Sequence, residues 1–217
     1  MSPDMKPGAL SSARSTGFAA YPTIDITSST SDVTITGDSV ILYSTTLRNT
    51  GDLVIQPYAA NFDRRQYFST DWAAYFPATF DSVRIGKAGT SGATQSSADI
   101  DIDRFASRGD LAIYGGNITL GSAIGTSNVL TGDVLLRGAD INSAYSISLA
   151  AGRTLTLDQS GSSILSGVIS GVGANVVKQG TGAIYLRGVN SYSGLTTISA
   201  GYLELNTAGS LVTDVVN

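Results

Sequence analysis

The sequence predicts an all-β chain wound as a β-helix, a solenoid of short strands in which each coil covers the next. Three observations carry that reading. Apolar pairs recur at short intervals and are broken by Gly or Asn: Val176/Val177, Ile184/Leu186, Leu195/Ile198 and Leu203/Leu205. Strands this short cannot bury their own apolar face, so neighbouring coils must cover it. The composition is also wrong for amphipathic helices, with one Glu (Glu204) and three Lys (Lys6, Lys87, Lys178) beside 25 Gly, 29 Ser and 23 Thr. Helical polar faces draw on Glu and Lys, whereas Gly and Ser favour turns and Thr favours strands. Finally, a Gly-Asp pair precedes apolar residues at Gly37-Asp38, Gly51-Asp52, Gly109-Asp110 and Gly132-Asp133.

That pair reads as a turn feeding a strand, because Gly accepts unusual backbone angles and the Asp side chain bonds nearby N–H groups. The last two pairs are 23 residues apart, the length of one coil, and the gap of 58 residues from 51 to 109 holds two coils and an insertion. Residues 1–20 lack periodicity and read as a flexible leader. The body, 21–217, begins with Ile24-Asp25-Ile26, Val33-Thr34-Ile35 and Val40 to Tyr43. From 109 the strands follow regularly through Leu111/Ile113, Ile118/Leu120, Val134/Leu136, Ile147/Leu149, Leu155/Leu157, Ile164/Leu165 and Val168/Ile169. At about 20–25 residues per coil this gives roughly eight coils, a rod on the order of 40 Å long. The alternative is a β-sandwich, which also uses many short strands. Against it, the chain has no short hairpin signal of the Asn-Gly or Asp-Gly type.

Composition bounds function. The net charge is −4 and the isoelectric point is near 4.6, with no basic cluster larger than Arg64-Arg65, so nucleic acid is not an expected partner. Cys and His are absent, which excludes disulfides, Cys/His zinc sites and Ser-His or Cys-His nucleophiles. No apolar run reaches the ~18 residues of a membrane-spanning helix, so membrane insertion is not expected. No cofactor is implied.

Two segments are candidate sites. Between Tyr58 and Phe80 lie eight of the chain's seventeen aromatic residues. This aromatic-rich insertion, 58–80, is either a lid with its rings buried or a partner-binding surface built from Arg64, Arg65, Tyr67, Trp72, Tyr75 and Phe76. The second is Asp99-Ile100-Asp101-Ile102-Asp103, whose three carboxylates share one face of a strand. Its plain reading is a solvated face with both Ile inward; its functional readings are a Ca²⁺ site or acid/base carboxylates acting on a polysaccharide.

One stretch resembles a known family. Lys178-Gln179-Gly180-Thr181-Gly182, Ile184-Tyr185-Leu186, Gly188-Val189-Asn190-Ser191-Tyr192-Ser193-Gly194 and Thr196-Thr197-Ile198-Ser199-Ala200-Gly201-Tyr202-Leu203 are similar to the autotransporter-associated β-strand repeat. The likeness covers 171–205, with a lead-in from Ile169, and a looser one to filamentous-haemagglutinin-type exoproteins rests on the Gly-Asp pattern. The resemblance implies a right-handed parallel β-helix and a secreted passenger fragment displayed at a bacterial surface, anchored in the outer membrane in its full-length form. It implies a stalk or adhesin that meets a host-surface or matrix protein or a glycan, and it implies no chemistry. A polysaccharide-acting or tailspike-like enzyme and a self-associating matrix protein are the alternatives from other classes. Tyr185, Tyr192, Tyr202 and Asn190 are expected to stack as ladders between coils.

Overall fold

The computed structural model describes residues 26–27, 32–40, 47–48, 51–68, 80–88, 98–102, 109–121, 130–205 and 215–216. Every strand pairing among them is parallel. The fold is therefore a parallel β-solenoid, and the sandwich alternative, which needs antiparallel pairs, is set aside.

The first sheet has nine strands in chain order: Val33–Thr36, Asp52–Gln56, Ser82–Ile85, Asp110–Tyr114, Val134–Gly138, Thr154–Gln159, Asn175–Gln179, Thr196–Ile198 and Val215–Val216. The second has seven: Gln66–Phe68, Ile100–Ile102, Asn117–Leu120, Asp140–Ser143, Ser162–Leu165, Ala183–Leu186 and Tyr202–Leu205. The seven strands of the second sheet are joined by six coil-to-coil pairings, so the turns described on both sheets number about six, fewer than the roughly eight coils that chain length predicts. A third side is formed by Ile147–Ser148 on Ile169–Ser170. Ile26–Thr27 pairs separately with Leu47–Arg48.

Alternation along each strand sends every second residue inward, and parallel register places equivalent residues directly over one another. One interior column of the first sheet runs Val33, Leu53, Val83, Leu111, Val134, Leu155, Val176, Thr196. The neighbouring column runs Ile35, Ile55, Ile85, Ile113, Leu136, Leu157, Lys178, Ile198. Facing them, the second sheet contributes Phe68, Ile102, Leu120, Ser143, Leu165, Leu186 and Leu205 in one column. A further inward column, Ile100, Ile118, Ile141 and, further along, Ile184, joins these, and together with corner residues such as Phe62 and Leu149 they form one core cluster.

The Gly-Asp pairs at 51, 109 and 132 lie at one corner, just before strands of the first sheet. There the side chain at the strand start accepts a bond from the next coil. Asp32 accepts the Asp52 N–H at 3.0 Å, Asp110 the Asp133 N–H at 2.8 Å, and Asp133 the Thr154 N–H at 2.9 Å. Between these, the Ser82 hydroxyl donates to Asp52 at 2.7 Å, and further on Asn175 accepts the Leu195 N–H at 2.8 Å. The long gap from 51 to 109 thus contains two coils, with Ser82 as the intermediate step. Gly is required beside the Asp because the coils nearly touch. A Cβ on Gly109 would lie 1.4 Å from the Asp81 carbonyl oxygen, and one on Gly132 would lie 2.2 Å from the Gly109 carbonyl carbon. Gly37-Asp38 differs: it follows its strand, and Asp38 accepts the N–H groups of Tyr58 and Ala59 at 3.1 and 3.3 Å.

The expected tyrosine ladder is replaced by another arrangement. Tyr192 is wholly buried and its hydroxyl shares a 2.7 Å bond with Thr196, whereas Tyr202 is exposed and Tyr185 is half-buried on the outer face. Asn190 is buried too, accepting the Ile169 N–H at 2.9 Å and donating to the Gly188 carbonyl at 3.0 Å. Tyr185 lies beside Ile164 and Glu204, and Tyr202 beside Ala183, so Tyr185 and Tyr202 are diagonal neighbours and do not stack in one column.

Gly109→Ala forces two coils apart and is expected to cost about 3 kcal/mol in urea unfolding. Gly152→Ala, where nothing lies within 4 Å and only a positive φ resists, is expected to cost about 1 kcal/mol. Equal costs would contradict close coil approach as the reason for Gly109. Ile184→Asp places a charge in a fully buried column and is expected to cost about 4 kcal/mol, read as a lowered unfolding midpoint; an unchanged midpoint would show that Ile184 does not face inward.

Candidate functional site

The aromatic segment is partly built into the solenoid. Gln66–Phe68 is a strand of the second sheet, paired with Ile100–Ile102. The connection leading to it is held from the preceding coil, with the Asp63 N–H on the Asp38 carbonyl at 2.8 Å and Tyr58 on the Asp38 carboxylate. Gln66 is buried and clamps both sides, accepting the Val40 N–H at 3.0 Å and donating to the Arg64 carbonyl at 2.8 Å.

The rings sort by polarity. Phe62, Phe68 and Phe80 are buried in the core, while Tyr58 and Tyr67 are 70% and 63% exposed. A phenyl ring gains only by leaving water, whereas a tyrosine can leave its hydroxyl solvated. Among the described rings the lid and surface readings each describe a part: phenylalanines anchor the segment and tyrosines are displayed. Trp72, Tyr75 and Phe76 lie outside the described residues.

Arg64 and Arg65 are both exposed. The Arg65 Nε and Nη2 groups donate to the two carboxylate oxygens of Asp101, a fork that joins the segment to the next coil. The hydrogen bonds and charge of Asp101 raise the Arg65 pKa above the usual arginine value; Asp99 and Tyr67 add to this, and partial burial opposes it. Tyr67 is the strand neighbour of Asp101 on the outer face. Continuing along that column come Thr119 and then Asn142.

Ile100 and Ile102 point inward, as their spacing predicts, and both are fully buried. The carboxylate face differs from a simple solvated one. Asp101 is only 6% exposed because Arg65 lies on it, and Asp99 accepts the Asn117 N–H at 2.9 Å. Both carboxylates are thus engaged in bonds within the protein. Asp103 lies outside the described residues, and among those described there is no group of three acidic, His or Cys side chains placed to hold a metal ion.

The other concentration of buried polar groups is at 178–196. Lys178 occupies an inward position between Leu157 and Ile198 and is fully buried. Its Nζ donates to the carbonyls of Gln179, Gly180 and Ala200, the last two at 2.9 and 3.2 Å. All three ammonium protons are therefore used, and two successive corners are tied together. Burial lowers the Lys178 pKa from the ordinary lysine value, with Asp158 pulling the other way. Nothing in the apolar alternation of Val176, Val177 and Lys178 signals this inward lysine, since a charge at a strand end reads as solvated.

Residues 176–205 match the family model described as passenger-associated-transport-repeat. This 30-residue stretch is thus similar to a passenger-associated transport repeat. The match falls within the 171–205 stretch whose residues show the resemblance, and the solenoid around it fits an autotransporter passenger segment. No curated protein and no solved structure matches the chain significantly. Within the repeat, Lys178, Asn190, Tyr192 and Thr196 all point inward and bond to one another or to the backbone. They serve coil packing, and the exposed Tyr58, Arg64, Arg65 and Tyr67 lie elsewhere in the chain.

Lys178→Ala removes three donors from the carbonyls of Gln179, Gly180 and Ala200 and leaves a cavity in the inward column. The expected cost is about 3 kcal/mol, measured as a shift of the denaturant midpoint. A shift below about 1 kcal/mol would mean that water replaces the ammonium.

Proposed function

We propose that this chain is part of an exported, surface-displayed bacterial passenger whose role is mechanical: a stiff stalk that holds an adhesive segment away from the cell. The observation that supports it is the pairing of a passenger repeat at 176–205 with interior columns that run unbroken along the first sheet. Nine parallel strands at about 4.8 Å spacing extend the first sheet over about 38 Å. Such a stack resists bending because its strands are bonded coil to coil along two sheets. The contact surface of the adhesin is the 58–80 segment, with Arg64, Arg65, Tyr67, Trp72, Tyr75 and Phe76 as its contact residues and a host-surface or matrix protein or a glycan as partner. The engaged state of Asp99 and Asp101 favours this non-enzymatic reading over carboxylate catalysis.

A second reading draws on the last described coil. Leu205 and Val215 occupy inward positions yet are 42% and 51% exposed, whereas Val33 at the other end of the first sheet is 6% exposed. Exposed apolar side chains in the inward columns of the last described strands suit self-association into a matrix.

The adhesin reading is tested by a binding screen against matrix proteins and glycans with the parent and a Tyr67→Ala/Trp72→Ala/Tyr75→Ala variant. The expected result is binding by the parent and a loss of at least tenfold in the variant at unchanged thermal unfolding. Equal binding by both removes the 58–80 segment as the contact surface. The matrix reading expects concentration-dependent oligomers in sedimentation velocity, reduced by Leu205→Lys; a strict monomer at high concentration contradicts it.

A further inference from the structure

The outer face of the second sheet carries a feature that bears on which partner the displayed segment takes. Tyr67, Asp101, Thr119 and Asn142 form one straight outward column on four successive coils. Their spacing is the strand repeat, about 4.8 Å, close to the length of one pyranose unit in an extended glycan. Tyr67 supplies an exposed aromatic ring at one end. Arg65 covers Asp101 and, having committed Nε and one Nη2 proton, keeps further N–H groups facing outward. Thr119 and Asn142 are half-buried and follow with a hydroxyl and an amide. The Asn142 oxygen accepts the Ile164 N–H at 3.0 Å, so its NH₂ is the group left to donate. A ring face followed by paired donors and acceptors at regular intervals is what a sugar chain requires, since each unit offers an apolar C–H face and several hydroxyls.

Charge decides the class of glycan. Among the described residues Arg64, Arg65 and Lys87, whose ammonium lies on the Ala59 carbonyl, are set against Asp63, Asp99 and Asp101, three positive groups against three negative. Such a patch lacks the net positive field that a sulfated or uronate-rich chain would need.

We infer that the column Tyr67, Arg65 on Asp101, Thr119, Asn142 binds a linear uncharged polysaccharide lying along the rod axis, with about one sugar per coil. This rests on the adhesin reading above and narrows its partner from any matrix component to a neutral glycan. Tyr67 stacks on the first unit, Arg65 and Thr119 bond the hydroxyls of the next two, and Asn142 caps the fourth. Sheet register sets the positions of Tyr67, Asp101, Thr119 and Asn142, and Arg65 is held by its fork on Asp101, so binding orders little of the backbone.

The test is equilibrium titration of the full chain with neutral β-linked glucose and N-acetylglucosamine oligomers of two to six units, and with a heparin hexasaccharide. The expected result is affinity for a neutral oligomer that rises up to four units and then levels, with little dependence on salt. Tyr67→Ala and Thr119→Arg should each weaken it at least tenfold while thermal unfolding is unchanged, both side chains being outward. Heparin binding alone, falling steeply with salt, would overturn the uncharged class and leave the displayed segment as a contact surface. Neutral binding indifferent to both substitutions would overturn the column as the site. No binding to any of these sugars, with matrix-protein binding still lost in the Tyr67/Trp72/Tyr75 variant, would overturn the glycan inference and keep the adhesin reading.

Discussion

Everything in this structure depends on how closely one coil can approach the next at its corners. In strands, backbone bonds between neighbours set the spacing without help. At a corner the chain leaves the ladder, and its N–H groups need another acceptor. Asp32, Asp110, Asp133 and Asn175 supply it from the coil before, while the Gly residues preceding Asp110 and Asp133 remove the Cβ that would hold the coils apart. Asp99 does the same for the second sheet. Because the corners close, the strands stay in register, and because they stay in register the interior columns form.

The columns then divide the residues by role. Inward positions are apolar and nearly invariant in character along the first sheet, from Leu53 through Leu155. Among the buried polar groups, Lys178, Asn190, Tyr192 and Thr196 are each bonded within the coil or to a neighbour, whereas neither side-chain polar atom of buried Gln159 has a hydrogen-bond partner among the described residues. Outward positions are under no such constraint and carry short local ladders. Arg137 lies over the Tyr114 ring at 5.9 Å and bonds Asp158 at 2.7 Å, linking three coils on the outer face. In outward columns, neighbouring coils bring residues from distant parts of the sequence to within one strand spacing.

Much of the scaffold was legible in the sequence. Pairs spaced by two, such as Leu111/Ile113, Leu155/Leu157 and Ile184/Leu186, are inward as alternation requires, and the 23-residue Gly-Asp spacing is one coil. Adjacent apolar pairs were less informative: Val177 and Ile164 turn outward because their neighbours Val176 and Leu165 turn in, and Leu195 precedes its strand and is exposed. Lys178 was illegible because local pattern treats charge as a mark of solvent, while the three carbonyls that hold it come from two corners. The candidate site was legible as an aromatic and basic cluster only. Its partition into buried Phe and exposed Tyr, and the fork from Arg65 to Asp101 across 36 residues, depend on coil-to-coil contacts that no local window contains.

The most direct measurement of the central claim is native-state amide hydrogen exchange on Asp110→Ala and Asp133→Ala beside the parent. If corner side chains hold the coils together, the Asp133 amide should exchange about tenfold faster in Asp110→Ala, and the Thr154 amide about tenfold faster in Asp133→Ala, each with its ladder neighbours. Unchanged rates at both amides, or an equal acceleration throughout the chain, would contradict the corner bonds as the constraint on which the solenoid depends.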